Sequence, residues 1–577
     1  ERRERAQAAL QALDGRSGRQ AERVRLLARA WLDDADAEPA LAQWLATRAD
    51  PLLALAHIDL LTQAGELDAA LAIARALTEQ DPGEPAHWFA LGKLSIIRGE
   101  ARPAVDDYLV RALVQSNRLN RTLLRGDISN AMGLGHRVLG QIDSAVDLFE
   151  QAARLRGQAG DTGGEAAALM NLSSTLVLRS DFAPAEAALA EAERLAEPLG
   201  DRSLLADIAN DRGVLYEERG EFRLALDAYR KALAERQAGG DARLIVQSLI
   251  NAGYAYYHLG EFDNAQVYWQ QAETQSTQTQ DLASAVRAGQ ARVLALLARG
   301  DFALAAQTQE ALLLQAESQQ LAEDIRMAHV SRAEVAHLRG ELATALESTR
   351  RAEALANADG DLRVLAQSRL VRVHALLDAG LDSDADAALQ ALRDAPPASV
   401  EQQAEVALLE ARLLLSAGAG AGADALAFAS QALALAQQAY SQPLQAQALL
   451  ARAIVEQRLG RADDARATLG EARAGLDRFP SQPLRLLLIE TRLRIGDARA
   501  DADYREARAW LARSPEWMRA PFLHLAAQRA GVAADADASG LASAALERLL
   551  PLTPAAQRAG LQAAFDRART DSAEPPR

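Results

Sequence analysis

The 577-residue chain has no cysteine, so it forms no disulfide, carries no thiolate nucleophile and builds no Cys-based metal site. Lysine is almost missing as well. Lys93 and Lys231 are the only two, so nearly all positive charge is arginine, a bias we assign to a GC-rich bacterial genome rather than to bidentate anion recognition. Aromatic residues make up only 4% of a chain that is 49% apolar, so its core must be packed mainly by Ala and Leu. That composition suits closely approaching helices and disfavours a large sheet. No stretch of about 18 uncharged apolar residues occurs, so nothing in this sequence is expected to span a membrane. Positive charge is in deficit overall, with 63 Lys and Arg against 79 Asp and Glu, which argues against nucleic acid as the main partner.

What the sequence does have is a beat. Gly140, Ser180, Gly220, Gly260, Gly300, Gly340, Gly380, Gly420 and Gly460 recur every forty residues, and each is followed five positions later by alanine, from Ala145 to Ala465. Within Asp241 to Gln280, Ile245, Leu249, Ala252, Tyr256 and Leu259 mark one helical face, Gly260 breaks it, and Phe262, Ala265, Trp269 and Ala272 mark a second. Each unit therefore reads as a helix hairpin. The glycine is suited to the left-handed residue that ends the first helix, and Gly-Asp pairs such as Gly200-Asp201 and Gly240-Asp241 end one unit and cap the next. The methyl-sized residue at turn plus five predicts close helix contact. A unit this small cannot bury its apolar face alone, so neighbours must stack into a solenoid. The pattern weakens near Gly300 and Gly380, where Val293 and Val373 replace the small residue seven positions before the turn. It is blurred at Gly420 by Gly418 and Gly422, a stretch we read as a flexible hinge.

Two earlier turns, Gly65 with Ala70 and Gly99 with Ala104, keep the offset at a thirty-four-residue spacing. Here Trp88, Leu91, Gly92, Gly99, Ala104 and Tyr108, with Pro82 closing the preceding unit, resemble the tetratricopeptide repeat, Ser95 standing where that family usually has Tyr. The forty-residue units resemble its longer variant, found in kinesin light chains and many bacterial signalling proteins. The resemblance implies an all-α, right-handed superhelical solenoid of about eleven repeats plus capping helices. We expect N-terminal capping helices over 1–50, two shorter units over 51–120, about nine longer units over 121–480, C-terminal helices over 481–569 including Trp510 and Trp517, and a disordered tail over 570–577.

The resemblance further implies that the first helix of each unit lines a concave groove that holds extended peptides with an asparagine ladder. Asn130, Asn171, Asn210 and Asn251 stand on those helices, nine or ten residues before each turn. An amide donates to and accepts from a peptide backbone at once, although the same residues could instead bond neighbouring turns of the solenoid. Gln247, Asn251, Tyr254 and His258 follow one helical face. Arg287 stands forty residues after Gln247, while Arg137, Tyr257 and Gln290 flank the same line.

A search for catalytic chemistry returned nothing. None of the eight histidines forms the His-Glu-x-x-His pattern of helical zinc hydrolases, and we read them as surface or packing residues. Asp382, Asp384 and Asp386 open like a calcium loop but lack its Gly and its closing Glu, with Arg393 in the twelfth position, which reads as a solvated turn. No phosphate loop, metal or cofactor is expected. The expected role is a non-enzymatic scaffold for a protein or peptide partner. The alternative is the sensory or regulatory region of a bacterial signalling protein whose output domain lies outside this chain. The charged opening Glu1-Arg2-Arg3-Glu4-Arg5, with no initial Met, favours a periplasmic or extracytoplasmic setting over a cytoplasmic one.

Overall fold

The computed structural model describes residues 2–14, 18–32, 34, 36–417, 421–497 and 549–571, together with Ser543, Leu546 and Glu547. The Gly420 turn, Trp510, Trp517, His524 and the tail beyond Asp571 lie outside the described residues. Among the described residues all regular structure is helical. None of these helices is long and apolar enough to cross a membrane.

The chain forms two compact units, Glu1–Glu218 and Arg219–Arg577. In the first, helices Arg2–Ala12, Arg19–Trp31 and Ala37–Leu45 precede hairpins such as Thr122–Val138 with Ile142–Gln158 and Thr162–Leu178 with Phe182–Ala196. In the second, the first helices are Ala242–His258, Leu282–Arg299, Ala322–Leu338, Leu362–Asp378, Val400–Ala417 and Gln442–Arg458, each followed by its second helix. The sequence Asp382, Asp384 and Asp386 is not a turn, as expected above, but the opening of helix Asp382–Asp394. Three carboxylates in its first two turns suit the positive end of the helix dipole. Arg393 then pairs with Glu410 at 2.6 Å and with Asp386 at 2.8 Å.

The beat proves to be twenty residues rather than forty. From Asn120 to Gly380 every twentieth residue has a positive φ, including the non-glycines Asn120, Ser180, Gln280 and Gln320, and the series resumes at Tyr440 and Gly460. At Gly260 the closure is a Schellman motif: the Gly260 amide donates to Tyr257 at 2.9 Å and the Glu261 amide to Tyr256 at 2.9 Å, satisfying carbonyls at the helix end. The same helix is capped at its start by Asp241, which accepts from the amides of Arg243 and Leu244. The interruption falls at 400, where Pro396 and Pro397 lead into the helix Val400–Ala417.

All nine turn-plus-five alanines are fully buried, Ala145 to Ala465 each at 0% exposure. They are where the two helices of a hairpin cross closely. The second determinant of hairpin packing is a pair of positions sixteen apart. A methyl group on Gly133 would fall 2.8 Å from Phe149 Cε1, and one on Gly253 would fall 2.6 Å from Trp269 Cδ1. Phe149 and Trp269 are among the largest fully buried side chains of the chain. The glycine is therefore a recess for an aromatic on the partner helix. Where Val373 replaces it, the residue sixteen positions on is Leu389, and both are buried in one apolar cluster. Gly300 and Gly380 keep their positive φ. Val373 thus marks a different size match within an intact register.

In the second unit, later hairpins touch earlier ones. Phe479 meets Tyr257 and Phe262 edge-on, with ring centroids 5.5 and 5.0 Å apart. Pro480 lies so close to Gly260 that a Cβ there would be 2.8 Å from its Cδ. The Tyr440 ring covers Gly220 in the same way, and helix Gln482–Ile495 packs on Leu282–Arg299. Turns of later hairpins in this unit thus pack on turns of earlier ones.

Candidate functional site

Within each unit, first helices of successive hairpins pack against one another: Thr162–Leu178 on Arg202–Glu218 in the first, and the whole series from Ala242–His258 to Gln442–Arg458 in the second. No successive second helices pack to a comparable extent among the described residues. In a curved stack the more closely packed row is the inner one, so side chains on the open face of the first helices line the concave surface.

On the first unit, Asn130 and Asn171 are brought together. Asn171 Nδ2 donates to Asn130 Oδ1 at 3.0 Å, so these two rungs hydrogen-bond each other. Both remain half-buried, and each amide keeps further donors and acceptors for a partner. Arg137 donates to Ser174 Oγ at 2.9 Å and lies 5.9 Å from the Phe149 ring centroid. Burial lowers its pKa, with the charge of Asp211 opposing. Asn210 stands half-buried on Arg202–Glu218.

On the second unit, Gln247 Nε2 donates to Asn251 Oδ1 at 2.9 Å, one turn apart on the same face. Tyr254 packs edge-on against Trp269 with centroids 5.2 Å apart, and the Trp269 indole N–H donates to the Ile250 carbonyl. Gln290 donates to the Asp324 carbonyl on the next first helix at 3.2 Å. The exposed Arg287 donates to Ser284 Oγ. His258 belongs to the packing: it stacks on Phe222 at 4.5 Å with an interplanar angle of 9°. Burial drives its pKa down to about 4, so it is neutral near pH 7. Tyr257 lies among Phe262, Trp269 and Phe479, and burial, followed by the negative charges of Glu334 and Glu401, raises its pKa.

The sequence reasoning passed over the most polar part of this surface. Gln367 Nε2 donates to Glu334 Oε1 at 3.5 Å, and Gln402 Nε2 donates to Gln367 Oε1 at 3.2 Å. Arg412 donates to His374 Nδ1 at 3.0 Å and pairs with Asp378, while His374 Nε2 meets Glu405 Oε1 at 3.0 Å. Because the guanidinium can only donate, His374 Nδ1 accepts from Arg412, which leaves its Nε2–H to donate to Glu405. His337 lies 3.4 Å from Asp378. Burial, reinforced by Glu405, pushes the Glu334 carboxyl up to about 7. Burial also raises the Glu401 carboxyl, against a hydrogen bond from Ser441. The forty-residue step could have found several of these residues. Glu334 and His374 stand two and three steps after Tyr254, Gln367 three steps after Gln247, and His337 two steps after Tyr257. No three of the acidic and histidine side chains among the described residues converge closely enough to hold a metal ion.

The hairpin that holds Trp88 and Tyr108 shows why the early units carry their signature residues. The Trp88 indole donates to the Pro82 carbonyl at 2.9 Å, its ring stacks on Tyr108 at 6.2 Å, and Gly92 makes room for Leu109. The array is a solenoid of helix hairpins that resemble tetratricopeptide repeats. No family model matches the sequence. Among solved structures of similar fold is BtubC (BKLC) from P. vanneervenii, 23% identical over 38% of this chain and 91% of that one, with a TM-score of 0.33. Another is aspartyl phosphate phosphatase F from Bacillus subtilis, 13% identical over 65% and 94%, with a TM-score of 0.39. A third is a signal transduction ATPase with a tetratricopeptide repeat sensor from Pyrococcus horikoshii, 14% identical over 57% and 52%, with a TM-score of 0.39. In this chain the hairpins supply the apolar scaffold and leave the inner face to polar side chains.

Proposed function

We propose that this chain is a non-enzymatic scaffold that binds an extended protein segment along the inner faces of its first helices. One observation carries the reading. Amide, phenol, imidazole and carboxyl groups occupy successive first helices at the repeat spacing, half-buried and linked from rung to rung, as in Asn130 with Asn171 and Gln367 with Gln402. The rest of each hairpin is spent on Ala and Leu packing. Amides at regular spacing suit an extended backbone because each can donate and accept without reading its side chains.

The test is selection of binders from a random peptide library on the purified chain. Selected peptides should lose at least tenfold in affinity when Asn251→Ala and Tyr254→Ala are combined, or when Asn130→Ala and Asn171→Ala are combined, roughly 1.4 kcal/mol. They should be indifferent to Gln271→Ala on an exposed second-helix position. Peptides that respond to Gln271→Ala and ignore the inner-face pairs would move the site to the outer layer and overturn the reading.

A further inference from the structure

In the second unit, turns that follow first helices are covered by turns that follow second helices. The Tyr440 ring, just after helix Gly422–Gln438, lies over Gly220, and Phe479 with Pro480, just after Ala462–Arg478, lies over Gly260. Gly220 and Tyr440 are separated by 220 residues, and so are Gly260 and Pro480, so the contact repeats with the array. Further along, Leu549 covers Gly340, and Leu338, two positions before that turn, packs on the same apolar cluster as Leu549.

The first unit has the same edge without its cover. Ile97, Val138 and Leu178 are the last residues of three consecutive first helices, Pro85–Ile97, Thr122–Val138 and Thr162–Leu178, each two positions before its turn. They are 48%, 62% and 64% exposed. A Cβ on Gly99 or Gly140 would meet nothing within 4 Å among the described residues. This unit, Glu1–Glu218, is shorter than the 220-residue offset at which the second unit covers itself. The charges beside the edge are already paired along it, Arg98 with Asp68 and Glu100, and Arg179 with Asp143 and Asp181. An exposed apolar row among neutralised charges marks an interaction site. The first unit also presents the other half of the contact. Leu119 and Leu199, in turns that follow second helices, are 51% and 49% exposed, and they share with Phe479 one position of the forty-residue repeat.

We propose that the exposed first turns of this unit dock the second turns of a second copy of the chain, repeating between molecules the contact that the second unit makes within itself. The two edges lie at opposite ends of the hairpins, about 25 Å apart along a 17-residue helix such as Thr122–Val138. One copy therefore cannot return the contact to the same partner, and the association is head-to-tail and open-ended. The net charge of −16 on each copy opposes it, so added salt strengthens it.

The test is sedimentation equilibrium of the full chain between about 1 and 300 μM. The weight-average mass should rise steadily above the 61.8 kDa of one copy, without a plateau at two, and should rise further in about 0.5 M NaCl. Two variants separate the edges: Val138→Lys with Leu178→Lys on the first turns, and Leu119→Lys with Leu199→Lys on the second. Lysine suits the C-terminal end of a helix, so each variant should keep the circular dichroism of the unchanged chain. Alone, each should self-associate at least about tenfold more weakly than the unchanged chain. Mixed in equal amounts, they should form a complex of two copies and no larger, because each retains the edge that the other lacks. That complex also shows that both variants are folded. An unchanged chain that stays at one copy, a closed dimer, or a mass that falls with salt would each overturn the proposal. So would variants that self-associate like the unchanged chain, or a mixture that does not associate. None of these outcomes bears on the inner-face reading, which the peptide selection judges separately.

Discussion

The glycine recesses give the sharpest test of how the hairpins are built, and Gly253 is the best placed of them. In an exposed helix interior, Gly→Ala stabilises by about 1 kcal/mol because alanine has the better helix propensity. At Gly253 the added methyl would lie 2.6 Å from Trp269 Cδ1 and 2.8 Å from Cε2, inside van der Waals contact, and Trp269 is fully buried. The indole must shift, and with it the 3.1 Å hydrogen bond from its N–H to the Ile250 carbonyl. Overpacking costs about 1–3 kcal/mol and the strained or lost hydrogen bond about 1 kcal/mol. Set against the propensity gain, the net effect of Gly253→Ala is a loss of about 1–3 kcal/mol. The control is the same change beside Trp269→Leu, the match found at Val373 and Leu389. Trp269→Leu alone should cost about 2–4 kcal/mol through its cavity, and adding Gly253→Ala to it should recover about 1 kcal/mol. An array of repeats need not unfold in one step, so the readout is hydrogen exchange of peptides from residues 242–278 rather than a global melt. Slower exchange in Gly253→Ala alone would refute the recess argument.

Three further outcomes follow from the charged groups. Glu334 has a folded-state pKa of about 7, above its ordinary 4.5, so its contribution to stability is fully present below pH 4.5 and is lost as pH rises through 7. Glu334→Gln should therefore stabilise at pH 8 by up to about 3 kcal/mol, less to the extent that solvent screens the half-buried carboxyl, and change nothing at pH 4, as read from melts at the two pH values. His258 has the opposite sign: its pKa falls to about 4, so stability present above pH 6.5 is lost as pH drops toward 4, and exchange in 242–258 should accelerate over that window and less so in His258→Phe. Arg393→Ala should cost about 2–3 kcal/mol, measured by exchange of the Val400–Ala417 helix, because it strands the buried Glu410 carboxylate that Arg393 now grips with two hydrogen bonds at 2.6 and 2.9 Å.

The hairpins were legible because their determinants are local. A turn glycine, an alanine five positions on and an Asp cap each act within a few residues, and all nine alanines are buried as the spacing requires. Half of the turn beat was harder to see, since Asn120, Gln280, Gln320 and Tyr440 adopt the left-handed conformation under tertiary constraint, without glycine to announce it. Val373 looked like decay of the pattern because its size match with Leu389 on the partner helix only becomes visible once both helices are in place. The inner face was half legible. The offset that picks out Asn130 and Asn171 also places them within a hydrogen bond. His374 and Glu334 were invisible to a motif search because their roles come from residues on neighbouring rungs, Arg412 and Glu405 for the one, Gln367 and Glu405 for the other. His258 follows the same helical face as Asn251, yet Phe222, on the preceding helix, stacks against it. Helical periodicity gives the direction of a side chain, and only the packed array shows what meets it there.

The most direct test of the account is where a selected peptide protects the chain from hydrogen exchange. Protection should concentrate in first helices, among them Ala242–His258, Ala322–Leu338, Leu362–Asp378 and Val400–Ala417. Protection confined to the second helices, Phe262–Gln278 and Leu342–Asp359 among them, would contradict it.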